Sequence, residues 1–170
     1  MPITINGSGT VTGITAGGLP DAIITQPELA NGVASTGPAF SAYPSGSQTI
    51  TSSTFTKVQY NTEEFDTNSN YDSATNYRFT PTVAGYYSFT AAVSVGTTVT
   101  RAILSFYKNG SAFKTFDMNY AVNNYGGAAL IYLNGSTDYV ELYAFLTGVT
   151  PSIAAGPIAS FFQASMVRAA

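Results

Sequence analysis

Between Gly85 and Val95 the chain alternates without a break. Tyr87, Phe89, Ala91, Val93 and Val95 fall on one side, and Ser88, Thr90, Ala92 and Ser94 on the other. A period of two with rings and β-branched residues on one side predicts a strand with one buried face. Just upstream, Tyr77 and Phe79 predict a short strand. Pro81 ends it, because proline cannot donate to a ladder, and Gly85 turns the chain into the longer run. "AFSAY" (39–43) reads as a first strand. "QTITSSTFTKVQYNTEEF" (48–65) alternates in parts, with Ile50, Phe55, Val58 and Tyr60 as expected buried positions. "DTNSNYDSATN" (66–76) reads as a polar loop.

Further on, "RAILSFYKNGSAFKTFDM" (101–118) predicts a hairpin, since Asn109-Gly110 is the favoured pair for a tight type I′ turn. Asn134-Gly135 predicts a second one within 126–146. "IASFFQASMVR" (158–168) is a closing strand with Phe161 and Phe162 on opposite faces. No long helix is expected. About eight to ten short strands separated by turn signals predict an all-β, two-sheet jelly-roll sandwich.

Two strands carry more apolar residues than a half-exposed sheet needs. "AALIYL" places Ala128, Leu130 and Tyr132 on one face and Ala129, Ile131 and Leu133 on the other, and the closing strand has a Phe on each face. A strand apolar on both sides is expected to be covered on both sides. A sandwich supplies one cover, and a neighbouring subunit is the simplest second one. Tyr77, Phe79, Leu130, Ile131, Tyr132, Phe161 and Phe162 are the candidates for that interface.

Composition sharpens this. Of 170 residues, 45% are hydrophobic and only 9% charged, well below the roughly 25% of an average domain. The surface must consist of Thr, Ser, Asn, Gly and Tyr, and charge does little to prevent edge association. The net charge is −3 with six scattered Lys and Arg, which argues against nucleic-acid binding. There is no Cys and no His. Disulfides, thiol catalysis, imidazole bases and Cys or His metal sites are thereby excluded. No apolar run reaches transmembrane length, and the first residues lack the features of a signal peptide, so membrane insertion and secretion are not expected.

Residues 1–36 differ from the rest: rich in Gly, Thr and Ile, almost without aromatics, with "NGSG" and "AGGLP" as turn signals. A segment this poor in core residues is expected to be a short irregular arm that docks on another protein. A flexible leader is the competing reading. The domain boundaries are then 1–36 for the arm and 37–170 for the head.

The order of motifs in the head resembles the globular C1q domain, within the wider C1q and tumour-necrosis-factor jelly-roll group. The matching residues are Ala39-Phe40, Tyr71-Asp72, Phe79-Thr80-Pro81 with Gly85, Tyr87 and Phe89, then Lys108-Asn109-Gly110, Leu130 to Leu133, Val140, Leu142 and Phe161-Phe162. The likeness spans about 38–168. It departs from the family's pattern in "NGSTDYVEL", and no collagen-like repeat precedes the domain. The segment "GSGTVTGITAGGLPDAIITQPELANG" resembles leaders of bacteriophage tail and fibre proteins. Together these resemblances imply a phage virion structural protein, made in the bacterial cytoplasm and residing in the virion. It would be a homotrimeric C1q-like knob of a short fibre, tail tip or capsid decoration (head fibre), attached to other virion proteins through 1–36 and facing the host surface. No enzyme activity, cofactor, nucleic-acid partner or membrane insertion is implied. The alternative is a carbohydrate-binding, lectin-like sandwich. A hydrolase of host surface polymer is the third class.

Candidate chemistry is sparse. Asp66 to Asp72 starts like a calcium loop, but the EF-hand positions for Gly and Glu hold Tyr71 and Tyr77. A solvated loop is the plainer reading. Glu63 and Glu64 are neighbours that a strand sends to opposite faces, not a carboxylate pair across a cleft. Asn6, Asn109 and Asn134 match the glycan-acceptor pattern but are also Asn-Gly turns. Among twelve Tyr, Tyr120, Tyr125 and Tyr143 are candidates for exposed ring contacts to sugars. Of these, Tyr120 and Tyr125, in "FDMNYAVNNYGG", are the receptor-contact candidates, because loops carry function more often than scaffold does.

Overall fold

A computed structural model describes residues 37–118 and 123–170. The arm assigned to 1–36 and Tyr120 lie outside the described residues. Within them the chain is all-β. Eight strands have five or more residues: β1 (Ala39–Tyr43), β4 (Thr62–Asp66), β7 (Gly85–Ser94), β8 (Val99–Lys108), β9 (Ser111–Met118), β10 (Asn124–Leu133), β11 (Val140–Gly148) and β13 (Phe161–Ala169). Two-residue pieces complete the set: β2 (Gln48–Thr49), β3 (Thr56–Lys57), β5 (Tyr71–Asp72), β6 (Arg78–Phe79) and β12 (Ser152–Ile153).

The strands form two antiparallel sheets and a small ribbon. The five-stranded sheet runs β10-β7-β13-β1-β4; the six-stranded one runs β5-β6-β11-β8-β9, with β3 beside β11; β12 pairs β2. This is the expected two-sheet jelly-roll sandwich. The alternation along β7 holds at every position: Tyr87, Phe89, Ala91 and Val93 are buried, while Tyr86 and Ser88 are exposed.

Rings dominate the largest buried side chains of the core. From the five-stranded sheet come Phe40, Tyr87, Phe89 and Phe162, and from the other Tyr71, Phe79 and Phe106. Phe40 stacks on Tyr71 at 4.6 Å and on Phe79 at 4.7 Å. Phe162 meets Phe40, Tyr60, Tyr71, Phe89 and Phe106 within 6.1 Å. Such offset and edge contacts add to plain area burial. Three buried phenols donate to backbone carbonyls: Tyr60 to that of Ala92 at 2.9 Å, Tyr71 to that of Tyr60 at 3.0 Å, and Tyr87 to that of Val83 at 2.7 Å.

The Thr-Pro-x-x-Ala-Gly segment carries the chain from β6 in one sheet to β7 in the other. Asn70 holds it, accepting from Thr80 N–H through its carbonyl at 2.8 Å and from Thr82 N–H through its side chain at 3.3 Å. Phe79 and then Tyr87 and Phe89 thereby line one core from two sides.

The two Asn-Gly pairs behave differently. Asn109 and Gly110 have φ of 52° and 78° and join β8 to β9 in the tight hairpin expected. Asn134-Gly135 does not make a second hairpin. β10 and β11 belong to different sheets, and the turn crosses between them. The Asn134 side chain accepts from the N–H groups of Ser136, Thr137 and Asp138. Gly135 (φ 72°) packs so close that a Cβ would lie 2.3 Å from the Ala84 nitrogen. Phe55 is a second correction: it is 39% exposed, whereas Ile50, Val58 and Tyr60 are buried as expected.

Candidate functional site

The outward face of the five-stranded sheet carries an apolar patch. The register sets Tyr132 opposite Tyr86 and Leu130 opposite Ser88 on β7, while β13 runs along the other side of β7 with a bulge at Val167. Tyr86 and Tyr132 are each 43% exposed, Leu130 58% and Val167 59%. The two tyrosine rings lie 5.5 Å apart. Tyr86, Leu130 and Val167 border a hollow of about 580 Å³ that runs to the C-terminal Ala170. A polar row of Ser88, Thr90, Gln163 and Ser165 continues the face toward Phe65, which is half exposed.

The seven interface candidates divide by pleat. Leu130 and Tyr132 project from the outward face. Phe79, Ile131 and Phe162 do not; they fill the domain's own core and have no surface to offer a neighbour. Tyr77 (φ 50°) and Phe161 are half-buried. β10 alternates strictly near its end, Ile131 and Leu133 inward, Leu130 and Tyr132 outward.

A second surface lies on the opposite side of the sandwich. Along β8, Arg101, Ile103, Ser105 and Tyr107 point outward. Directly opposite them on β11 stand Thr147, Phe145, Tyr143 and Glu141. Tyr107 and Tyr143 stack at 4.0 Å. Phe55 reaches over from the segment preceding β3, 5.3 Å from Phe145 and 6.1 Å from Tyr107. Backbone bonds pin that segment, from Ser53 N–H to the Leu146 carbonyl (2.8 Å) and from Val58 N–H to that of Leu142 (2.9 Å). Beneath the rings, Glu141 is buried and paired with Lys57 at 2.5 Å. At the rim, Arg101 holds Asp117 through two bonds of 3.2 and 2.7 Å and lies 5.7 Å from the Phe145 ring. Burial pushes the Tyr143 phenol above its ordinary range; nearby Glu141 adds to this and Lys57 opposes it.

The remaining candidates are absorbed by local structure. Tyr125, expected to contact a receptor, is 4% exposed and belongs to the core. It occupies an inward position of β10, which begins one residue earlier. In the loop from Asp66 to Asp72, Asp66 accepts from the N–H groups of Asn68 and Tyr71, and Asp72 from those of Ala74, Thr75 and Asn76. Those backbone bonds hold the Asp72 carboxyl below its usual range, the bond from Thr75 first. Glu63 and Glu64 separate as their sequence neighbourhood requires: Glu63 accepts from Ser73 and Glu64 from Ser41, each at 2.6 Å.

No protein-family profile and no curated protein matches the chain. Solved structures do. Murine APRIL matches with a TM-score of 0.61 at 11% identity, covering 76% of this chain and 98% of that one. The globular domain of zebrafish complement 1qA protein matches at 0.57 and 19%, covering 79% and 99%. Eiger TNF from S. frugiperda matches at 0.57 and 11%, covering 79% and 95%. The fold is a C1q/TNF-like jelly roll. Identities this low establish the fold and nothing finer, so the function of this C1q/TNF-like domain must be argued from its own surfaces.

Missed in the sequence were Phe55, Tyr107 and Phe145. The signal was present in β11, where Glu141, Tyr143, Phe145 and Thr147 alternate with the buried Val140, Leu142, Ala144 and Leu146. Rings on the outward side of such a strand gather into a surface cluster.

Proposed function

We propose that the chain is a non-enzymatic structural protein of a bacteriophage particle. Its C1q/TNF-like head assembles as a homotrimer, residues 1–36 attach it to other virion proteins, and the head faces the host surface. The observation that carries the assembly is the patch of Tyr86, Leu130, Tyr132 and Val167, apolar side chains left exposed together on one sheet face. Single exposed apolar residues are ordinary, but a contiguous group bordering a hollow is the mark of an interface. The low share of charged residues supports the same reading, since little on this surface opposes self-association. The phage setting rests on the resemblance of the leader to tail and fibre segments.

The test of attachment is competition. Purified full chain, added to host cells ahead of the phage, is expected to lower adsorption in a dose-dependent way. Adsorption unchanged at saturating protein would refute the host-facing role, and labelling of the particle with an antibody to the head would then separate a decoration protein from a non-virion one.

A further inference from the structure

We propose that the aromatic cluster on the outward face of the six-stranded sheet binds an uncharged glycan. Phe55, Tyr107, Tyr143 and Phe145 would meet the apolar faces of its sugar rings, and the Arg101–Asp117 pair would bond its hydroxyls. This deepens the host-facing reading, on which it rests for its biological setting.

Three features select this occupant. First, the charges on this face balance. Lys57, Arg78 and Arg101 stand against Asp72, Glu141 and Asp117, with Lys57–Glu141 and Arg101–Asp117 joined as ion pairs. A phosphate or polyanionic ligand would need a surplus of cations, which is absent here. Second, the groups at the margin of the rings are an exposed hydroxyl pair and an exposed charge pair that both donate and accept: Ser53 bonds Thr147 at 3.1 Å, and Arg101 bonds Asp117 at 2.7 Å. Hydroxyls of a sugar replace water on such groups without loss. A dry apolar surface of a second copy would strip water from the exposed Arg101–Asp117 pair, at a cost its attraction does not fully return. A peptide strand adds at a sheet edge, through free ladder groups, and not on a face. Third, the platform is already set. Phe55 is exposed yet held by the pinned segment across β11, so little ordering is lost on binding.

The cluster lies on the far side of the sandwich from the Leu130 patch, so binding and self-association do not compete for surface.

The experiment uses labelled full chain on a printed panel of neutral oligosaccharides (β-1,4-glucan, α-1,4-glucan, mannan and chitin oligomers), with hyaluronan and polysialic acid as an acidic arm. Hits are measured by calorimetry. Binding to at least one neutral oligosaccharide is expected. Phe55→Ala should weaken it by about tenfold or more, the loss of one ring contact, with native mass and circular dichroism unchanged. Arg101→Ala, at the exposed rim, should weaken it as well. No neutral ligand on the panel, binding confined to the acidic arm, or an affinity indifferent to Phe55→Ala would each overturn the proposal. Failure of the assembly reading is a separate result: a monomeric wild-type chain that still binds sugar through Phe55 would leave this site standing.

Discussion

Leu130→Asp is the substitution that bears most directly on assembly. Leu130 is 58% exposed on the single chain, on the edge strand β10, in a patch with Tyr86, Tyr132 and Val167. Fully burying a leucine contributes about 1.5–3 kcal/mol, so covering the part still exposed contributes about 1–2 kcal/mol per copy. Aspartate forfeits that gain. Once covered it also buries a carboxylate in an apolar interface, costing up to about 3–5 kcal/mol at each interface, less whatever Arg168 on the rim of the same hollow returns. Repeated around a closed ring, the loss exceeds what a modest interface supplies, and the trimer should come apart. The protomer should survive, because the side chain points away from the ring core built on Phe162 and Phe89. Native mass spectrometry with circular dichroism reads both outcomes. The wild type is expected at three times 17.8 kDa, and the variant as a folded monomer. Ile131→Asp, one residue on and fully buried, should instead unfold the chain. A wild-type monomer, or a Leu130→Asp protein that stays trimeric, would show that this face is not the interface.

Two further outcomes test the fold that holds these faces. Gly135→Ala forces a side chain into a left-handed backbone position already in contact with Val83 and Ala84; it should cost about 2–3 kcal/mol and lower Tm by about 5–10 °C, whereas Gly46→Ala, with open space around it, should change nothing measurable by thermal denaturation. On the alkaline side, burial pushes the phenols of Tyr60 and Tyr71 well up and that of Tyr87 to about 12. Their contribution to stability is complete below the unfolded phenol value of about 10 and is lost as pH rises from there toward the folded values. Tyrosinate absorbance should therefore rise in two stages, the later one coinciding with loss of the circular dichroism of the fold. Titration of all twelve tyrosines in one step near pH 10, with the fold intact, would contradict the burial described.

Where a local pattern and the tertiary structure ask for the same thing, the sequence was sufficient. β7 and the Asn109-Gly110 hairpin are of this kind, because period-two alternation and a positive-φ turn pair each specify their geometry within a few residues. Asn134-Gly135 shows the limit. The same dipeptide supplies the same tight bend, but whether the next strand returns along its neighbour or crosses to the facing sheet is decided by β8, which claims β11 over nine paired positions. That competition between distant strands leaves no trace near Asn134. The surfaces fail to read for a related reason. An alternating strand says that Leu130 and Ile131 differ in environment but not which of them is inside, since both are apolar and a shift of one residue exchanges them. Likewise Phe55 and Phe79 are both phenylalanines beside Thr and a cation, Lys57 for the first and Arg78 for the second. Only the pinning of 53–58 across β11 holds the first out over the sheet, while the stack on Phe40 draws the second into the core. Aromatic content therefore announced that rings would be used, and the long-range pairing of β11 decided which of them remained at the surface.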